Sequence, residues 1–313
     1  MKIAFLEPLG VSEDYLRAQV EVGLPEDCEI IYHPDRNEDP KVLVERSKEA
    51  EIVVLSNIKF GRDIIEQLPT LKMICVAFTG VDHIDMAYCR ERGIDVCNCA
   101  GYSTSAVADL VFGLVISLAR NIHACDNATR FSQTKDGLVG FELEGKTFGV
   151  VGTGAIGCRV ANIAQAFGCK VIAYSRTIKD LSGVTYMSLE EVLKYSDIVS
   201  LHVPVTDETR GMIGEKELAL MKPTAILINT ARGPIVDTKA LANALALGTI
   251  SGAGIDVFDV EPPIPVDNPL LTLENTVLTP HVAFASAQAF EKRMVIVGEN
   301  IRLWLNGTPQ NII

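Results

Sequence analysis

The amino-acid sequence predicts an α/β protein made of two parallel-sheet domains. Three observations carry that prediction. Short, nearly continuous apolar runs alternate with amphipathic segments from the first residues onward, which is the pattern of buried strands set between helices. The alternation breaks near residue 100 and restarts at Lys146. A chain of 313 residues also suits two domains of roughly 100–200 residues each.

The first block has strand-like runs at residues 2–6, 28–32, 52–55, 73–77 and 95–98. Helix-like segments fall between them, at 12–20, 41–47, 62–68 and 84–92. Asp39-Pro40 opens the second helix as a cap followed by proline, whose fixed φ suits the first turn. The turn after the first strand, Glu7-Pro8-Leu9-Gly10, lacks a glycine fingerprint, so no nucleotide is expected there. Residues 103–121 form a long helix candidate, apolar on nearly every side over 110–119. That implies burial in a core or a subunit interface. Residues 122–144 are polar and poorly periodic and read as a connecting arm.

The second block has strand candidates at 147–151, 170–175, 198–203, 225–229, 251–257 and 276–279. Its helix candidates are 155–167, 189–195, 215–221 and 238–247. Ser188-Leu189-Glu190-Glu191 is a capping box, which fixes one helix start. A last amphipathic helix spans 286–305 and stops at Asn306-Gly307.

Composition narrows the function classes. The chain has 28 basic and 40 acidic residues, a net charge of −12, and no basic tract. A nucleic-acid partner or a polybasic membrane surface is therefore not expected. The longest stretches free of charge, 240–255 and 275–290, contain glycine, proline or polar residues. They fall short of the roughly 20 apolar residues of a membrane span. Met1-Lys2-Ile3 leads straight into a strand, so no signal peptide is expected and a cytoplasmic location is. None of the eight cysteines forms Cys-x-x-Cys. Buried free thiols are expected, not disulfides, and no metal is called for.

Gly152-Thr153-Gly154-Ala155-Ile156-Gly157 follows a strand and opens a helix. The first glycine permits the turn, the second admits a pyrophosphate, and the third lets helix and strand pack closely. The helix then meets the phosphates with free N–H groups and its positive dipole end. This strand–turn–helix context marks a Rossmann-type dinucleotide site. The next strand ends in Tyr174-Ser175-Arg176-Thr177, where NAD enzymes normally place Asp or Glu for the ribose hydroxyls. No carboxylate there repels a 2′-phosphate, and Arg176 can pair with one. The reading leans to NADP over NAD. An Arg176 that is solvated or stacked on adenine is the alternative.

Ligands of open α/β sheets bind beyond the carboxyl ends of the strands. Arg232, Glu261 and His281 fall at three successive strand ends of the second block. Reduction of a 2-keto acid by a nicotinamide uses such a set. Arg suits bidentate binding of the carboxylate. His supplies a proton to the carbonyl oxygen near neutral pH. A carboxylate behind the His orients the ring and favours its charged form. Each residue alone also has a structural reading; their joint occurrence behind a nucleotide loop points to chemistry.

Together these motifs resemble the D-isomer-specific 2-hydroxyacid dehydrogenase family, of the glycerate dehydrogenase or hydroxypyruvate–glyoxylate reductase type. The resemblance runs through Phe78-Thr79-Gly80-Val81-Asp82, Gly101-Tyr102-Ser103, the glycine loop, His202-Val203-Pro204, Thr230-Ala231-Arg232-Gly233, Asp256-Val257-Phe258 through Glu261-Pro262, and Thr279-Pro280-His281. It implies a Rossmann-type nucleotide domain over 100–285. It also implies a flavodoxin-like substrate domain from 1–99 and 286–313, with a cleft between the two. By resemblance, Arg232 grips the substrate carboxylate, His281 is the acid/base and Glu261 its partner. The Gly80 and Val81 amides help hold the carboxylate. Cofactor contacts fall on Thr79, Gly152, Gly154, Ala155, Ile156, Gly157, Ser175, Arg176, Thr177, Val203, Pro204, Thr230, Asp256 and His281. A homodimer through residues 103–144 is implied as well.

Two departures shape the expected cofactor and substrate, the first the cofactor and the second the substrate. Ser175 replaces the family's Asp. Leu55 stands where phosphoglycerate dehydrogenases, similar in outline, carry an Arg. A small unphosphorylated 2-keto acid of the hydroxypyruvate, glyoxylate or pyruvate type fits best, with Asn57 available to a substrate hydroxyl or to a turn. The alternatives are a dinucleotide-sensing corepressor-like protein and a formate- or phosphite-type dehydrogenase on the same scaffold.

Overall fold

The computed structural model describes residues 1–261 and 263–313. Pro262 of the Glu261-Pro262 motif lies outside them. Contacts divide the chain into one unit of Met1–Ser103 with Ala285–Ile313 and a second of Thr104–Phe284. The first unit thus extends past the expected boundary at residue 99 to Ser103. Tyr102 draws the next residues into it: its ring is buried, 6.3 Å from the Phe78 ring and under the Arg293 guanidinium.

The first unit is a five-stranded parallel sheet of β1 (Lys2–Phe5), β2 (Glu29–Tyr32), β3 (Ile52–Leu55), β4 (Met73–Val76) and β5 (Asp95–Cys97). Its order is β2-β1-β3-β4-β5, the flavodoxin-like arrangement, and the order reverses between β1 and β3. β3 and β4 are buried along their whole length, which explains their uninterrupted apolar runs. The helix Ala287–Leu305 returns to this unit and packs on helix Glu13–Val20 and on β4. Its buried Arg293 donates to the carbonyls of Ala77 and Leu9, behind β4 and β1.

The second unit holds β6 (Thr147–Val151), β7 (Lys170–Tyr174), β8 (Val184–Tyr186), β9 (Ile198–Leu201), β10 (Ile226–Asn229), β11 (Gly252–Ile255) and β12 (Thr276–Leu278). All are parallel, in the order β12-β11-β10-β9-β6-β7-β8. This is the Rossmann order, reversing between β6 and β9. Successive strand residues face opposite sides, and the core follows suit. Phe148, Val150, Ile198 and Ile228 pack with helices Thr104–Ala119 and Ala155–Ala166. Val151, Val199, Leu201 and Leu227 pack with helices Leu189–Tyr195, Glu215–Leu220 and Thr238–Ala246.

Two expectations are corrected. β8 was not foreseen: it is three residues long, none fully buried, and has no apolar run. The arm over 122–144 contains a helix, Ile122–Arg130, with Ala128 its one buried residue. The apolar helix before it, Thr104–Ala119, buries seven residues in the core of this unit. The eight cysteines are free. Among the described residues, no single helix is long and apolar enough to cross a membrane.

Candidate active site

The glycine loop joins β6 to helix Ala155–Ala166. Gly152 has φ +98°, and a Cβ there would stand 2.5 Å from the His202 carbonyl oxygen. At Gly157 a Cβ would come within 1.9 Å of the Gly152 oxygen. Both positions are closed to side chains by the protein itself. Gly154 differs: a Cβ there would meet no atom of the described residues within 4 Å. Packing does not explain that glycine, whereas close approach of a pyrophosphate does. Gly154 is the N-cap and supplies no side-chain hydrogen bond to the first helical turn, which leaves its N–H groups for an anion. Gly154 and Ala155 are exposed and Ile156 is half-buried. The residues fit a dinucleotide.

The other predicted cofactor positions of this unit also follow strand ends. Ser175 comes directly after β7. Arg176 pairs with Glu208 at 2.9 Å, both well exposed. Thr177 is exposed. Val203 and Pro204 follow β9, where the Pro204 carbonyl accepts from Thr209 Oγ1 at 2.6 Å. Thr230 follows β10, and its buried Oγ1 has no hydrogen-bond partner among the described residues.

Arg232, Glu261 and His281 follow β10, β11 and β12, which are neighbours in this sheet. The loop of Arg232 is tied back by Asn229, whose Nδ2 donates to the Arg232 carbonyl at 2.9 Å. It lies against the loop after β11. A Cβ at Gly233 would sit 2.0 Å from the Phe258 carbonyl carbon. Arg232 Nη1 also donates to the Ala231 carbonyl at 2.8 Å.

His281 is held in a left-handed backbone conformation, φ +52°, which costs a residue with a Cβ roughly 1–2 kcal/mol. Asp256 holds it there. The Asp256 carbonyl accepts the His281 amide at 2.8 Å. Its carboxylate accepts from Thr279 Oγ1 at 2.6 Å and from the Val282 and Ala283 amides at 2.9 Å each. Burial pushes the Asp256 carboxyl up, and these donors oppose that shift. Expected among the cofactor contacts, Asp256 is 0% exposed; its carboxylate braces the His281 turn from within.

His281 Nδ1 lies 2.7 Å from Glu261 Oε1, each side chain 19% exposed. The second carboxylate oxygen of Glu261 accepts the Phe258 amide at 3.2 Å. Phe284 meets the imidazole edge-on, ring centroids 5.7 Å apart. An ionised carboxylate only accepts, so Nδ1 carries the proton in that bond. Nε2 is then the ring nitrogen that Glu261 does not engage.

Asn57, Thr79, Gly80 and Val81 belong to the other unit. Asn57 stands two residues past β3. Thr79 is exposed, Gly80 and Val81 half-buried. Asn98 Nδ2 donates to the Thr79 carbonyl at 2.8 Å, which anchors that loop. Among the described residues no cluster of His, Cys, Asp and Glu has the makings of a metal site.

A family model described as D-isomer specific 2-hydroxyacid dehydrogenase, NAD binding domain, matches residues 112–283. A glyoxylate reductase of Thermococcus litoralis is 42% identical over 304 residues, covering 91% of this chain and 91% of its own. A glycerate dehydrogenase of Methylorubrum extorquens is 39% identical over 284 residues, 88% of each chain. Among solved structures, an acyclic imino acid reductase in complex with NADPH and D-arginine superposes with a TM-score of 0.91. It is 34% identical, with all of both chains covered.

Proposed function

The chain belongs to the D-isomer specific 2-hydroxyacid dehydrogenase family and is an NAD(P)-dependent 2-keto acid reductase, and from that premise we propose which substrate it takes and which residues act. The substrate is a small unphosphorylated 2-keto acid of the hydroxypyruvate, glyoxylate or pyruvate type. The observation that carries the assignment of residues is the 2.7 Å contact of His281 with Glu261.

A nicotinamide dinucleotide, when bound, supplies the hydride that adds to the keto carbon. The chain's own residues do the rest. Arg232 binds the substrate carboxylate, a charge-assisted pairing for which guanidinium geometry is suited. The Gly80 and Val81 amides share that carboxylate. His281, its Nδ1 anchored by Glu261, gives the proton on Nε2 to the carbonyl oxygen as the hydride arrives. Glu261 stabilises the imidazolium before transfer and fixes the ring throughout. In the oxidative direction Nε2 takes the hydroxyl proton back.

NADPH is the proposed preferred cofactor. Ser175 leaves no carboxylate at the end of β7, and Arg176 stands beside it, engaged by Glu208 across the surface. Exposed pairs of this kind contribute about 0–1 kcal/mol, so a 2′-phosphate can displace Glu208. The reading further takes the protein as cytoplasmic, with no nucleic-acid or membrane partner, and as a homodimer through residues 103–144. Phe131 and Val139 in that segment are 75% and 83% exposed, apolar surface of the sort that interfaces cover. The test is a panel of small 2-keto acids with NADPH and with NADH, followed by nicotinamide absorbance. Turnover of none of them would overturn the reading.

A further inference from the structure

Glu7 is 2% exposed at the carboxyl end of β1, a buried carboxylate that none of the roles above uses. Its Oε1 accepts the Ser56 amide at 2.7 Å, and its Oε2 accepts from Arg36 Nη1. The same Nη1 donates to Asn57 Oδ1 at 2.9 Å. Arg36 Nε and Nη2 go to Glu38. β1 and β3 are neighbours at the point where the strand order of this unit reverses, where open α/β sheets bind ligands. β4, whose following loop carries Gly80 and Val81, pairs with β3 in register, Leu55 beside Val76.

Two consequences follow from chemistry. Asn57 Oδ1 is taken by a guanidinium, so the amide cannot flip, and Nδ2 is presented as a donor. Nδ2 donates to no described residue. The charge of Arg36 is opposed by two carboxylates, Glu7 and Glu38, so no unopposed cation is offered to a second anionic group.

We propose that Glu7 and Arg36 are positioning residues that fix Asn57 as a hydrogen-bond donor to an uncharged oxygen on the third carbon of the substrate. The site thereby selects a 3-hydroxy-2-keto acid over its phosphorylated analogue and over acids that lack that oxygen. Neighbouring strands are about 4.8 Å apart, so the loops that leave β3 and β4 side by side start close enough to serve one small ligand. This inference rests on the 2-keto acid reductase reading and names the substrate within it.

The test compares kcat/KM for hydroxypyruvate, glyoxylate and 3-phosphohydroxypyruvate in wild type, Asn57→Ala and Arg36→Lys, with thermal unfolding of each. Wild type should prefer hydroxypyruvate to both others. Asn57→Ala should reduce the hydroxypyruvate-to-glyoxylate ratio about tenfold, the effect of one lost hydrogen bond to substrate. Arg36→Lys keeps a cation for Glu7 but not the rigid guanidinium, whose Nε and Nη2 are held by Glu38 while Nη1 is aimed at Asn57, and should lower the same ratio several-fold with little change in Tm. A purely structural role would depress both substrates alike and leave the ratio unmoved. A ratio within twofold of wild type in both variants overturns the inference; should Arg36→Lys not fold, Asn57→Ala decides alone. Turnover of none of these acids by wild type would instead overturn the reductase reading.

Discussion

His281 Nδ1 and Glu261 Oε1 stand 2.7 Å apart although 20 residues separate them in the chain. The contact is made by two loops after adjacent strands and by a His281 backbone turned to φ +52°. Because Glu261 is also anchored by the Phe258 amide, the protein itself holds the pair in place.

Glu261→Gln therefore tests the pair without changing its size. The amide oxygen still accepts from Nδ1, but the negative charge behind the imidazolium is gone. General acid–base assistance is worth roughly 10²–10⁴-fold, and we expect kcat to fall about a hundredfold. The dissociation constant for NADPH should stay within about twofold. Steady-state kinetics and a fluorescence titration give both; an unchanged kcat would remove Glu261 from the proton path.

Gly233→Ala tests the packing that sets Arg232 beside the β11 loop. The added methyl would meet Phe258 backbone at 2.0–2.1 Å, and backbone cannot rotate aside as a side chain does. Overpacking of this kind costs about 3 kcal/mol. Thermal unfolding should shift down by several degrees, and kcat/KM should fall with it. A variant with wild-type Tm and kinetics would show the loops to be free to part.

Ser175→Asp probes the cofactor preference. A carboxylate at the end of β7 accepts from ribose hydroxyls and repels a 2′-phosphate. The ratio of kcat/KM for NADPH over NADH should drop by at least tenfold. A wild type that already favours NADH would contradict the reading of Arg176.

His202, behind the glycine loop, gives a pH-dependent stability. Burial pushes its pKa down to about 3, from an ordinary 6.5, and Nε2 meets Ser200 Oγ at 2.9 Å. The unfolded chain takes up this proton near pH 6.5 and the folded chain only near 3, so stability falls as pH drops through that interval. His202→Gln does not titrate and should show a shallower loss between pH 6.5 and 4 in urea unfolding. Equal slopes for the two proteins would rule this contribution out.

Much of the fold was legible because parallel strands buried on both faces leave short apolar runs bounded by turn residues, distinguished from the apolar helix Thr104–Ala119 by length. β8 escaped because none of its three residues is fully buried, and helix Ile122–Arg130 because it buries almost nothing. Arg232, Glu261 and His281 were legible one at a time, as reactive types just past strand ends. Their mutual placement was not, since it depends on Gly233 against Phe258 and on Asp256 bracing the turn. The Glu7–Arg36–Asn57 chain was hidden for the same reason: its members follow three different strands, and only the sheet order brings them together.

The central claim is that His281 supplies the proton for reduction of a small 2-keto acid. It is tested most directly by the turnover of His281→Ala with hydroxypyruvate and NADPH, alongside nucleotide binding by the same variant. The account predicts a kcat lower by roughly 10²–10⁴-fold with NADPH affinity retained. A variant that turns over at the wild-type rate would contradict it.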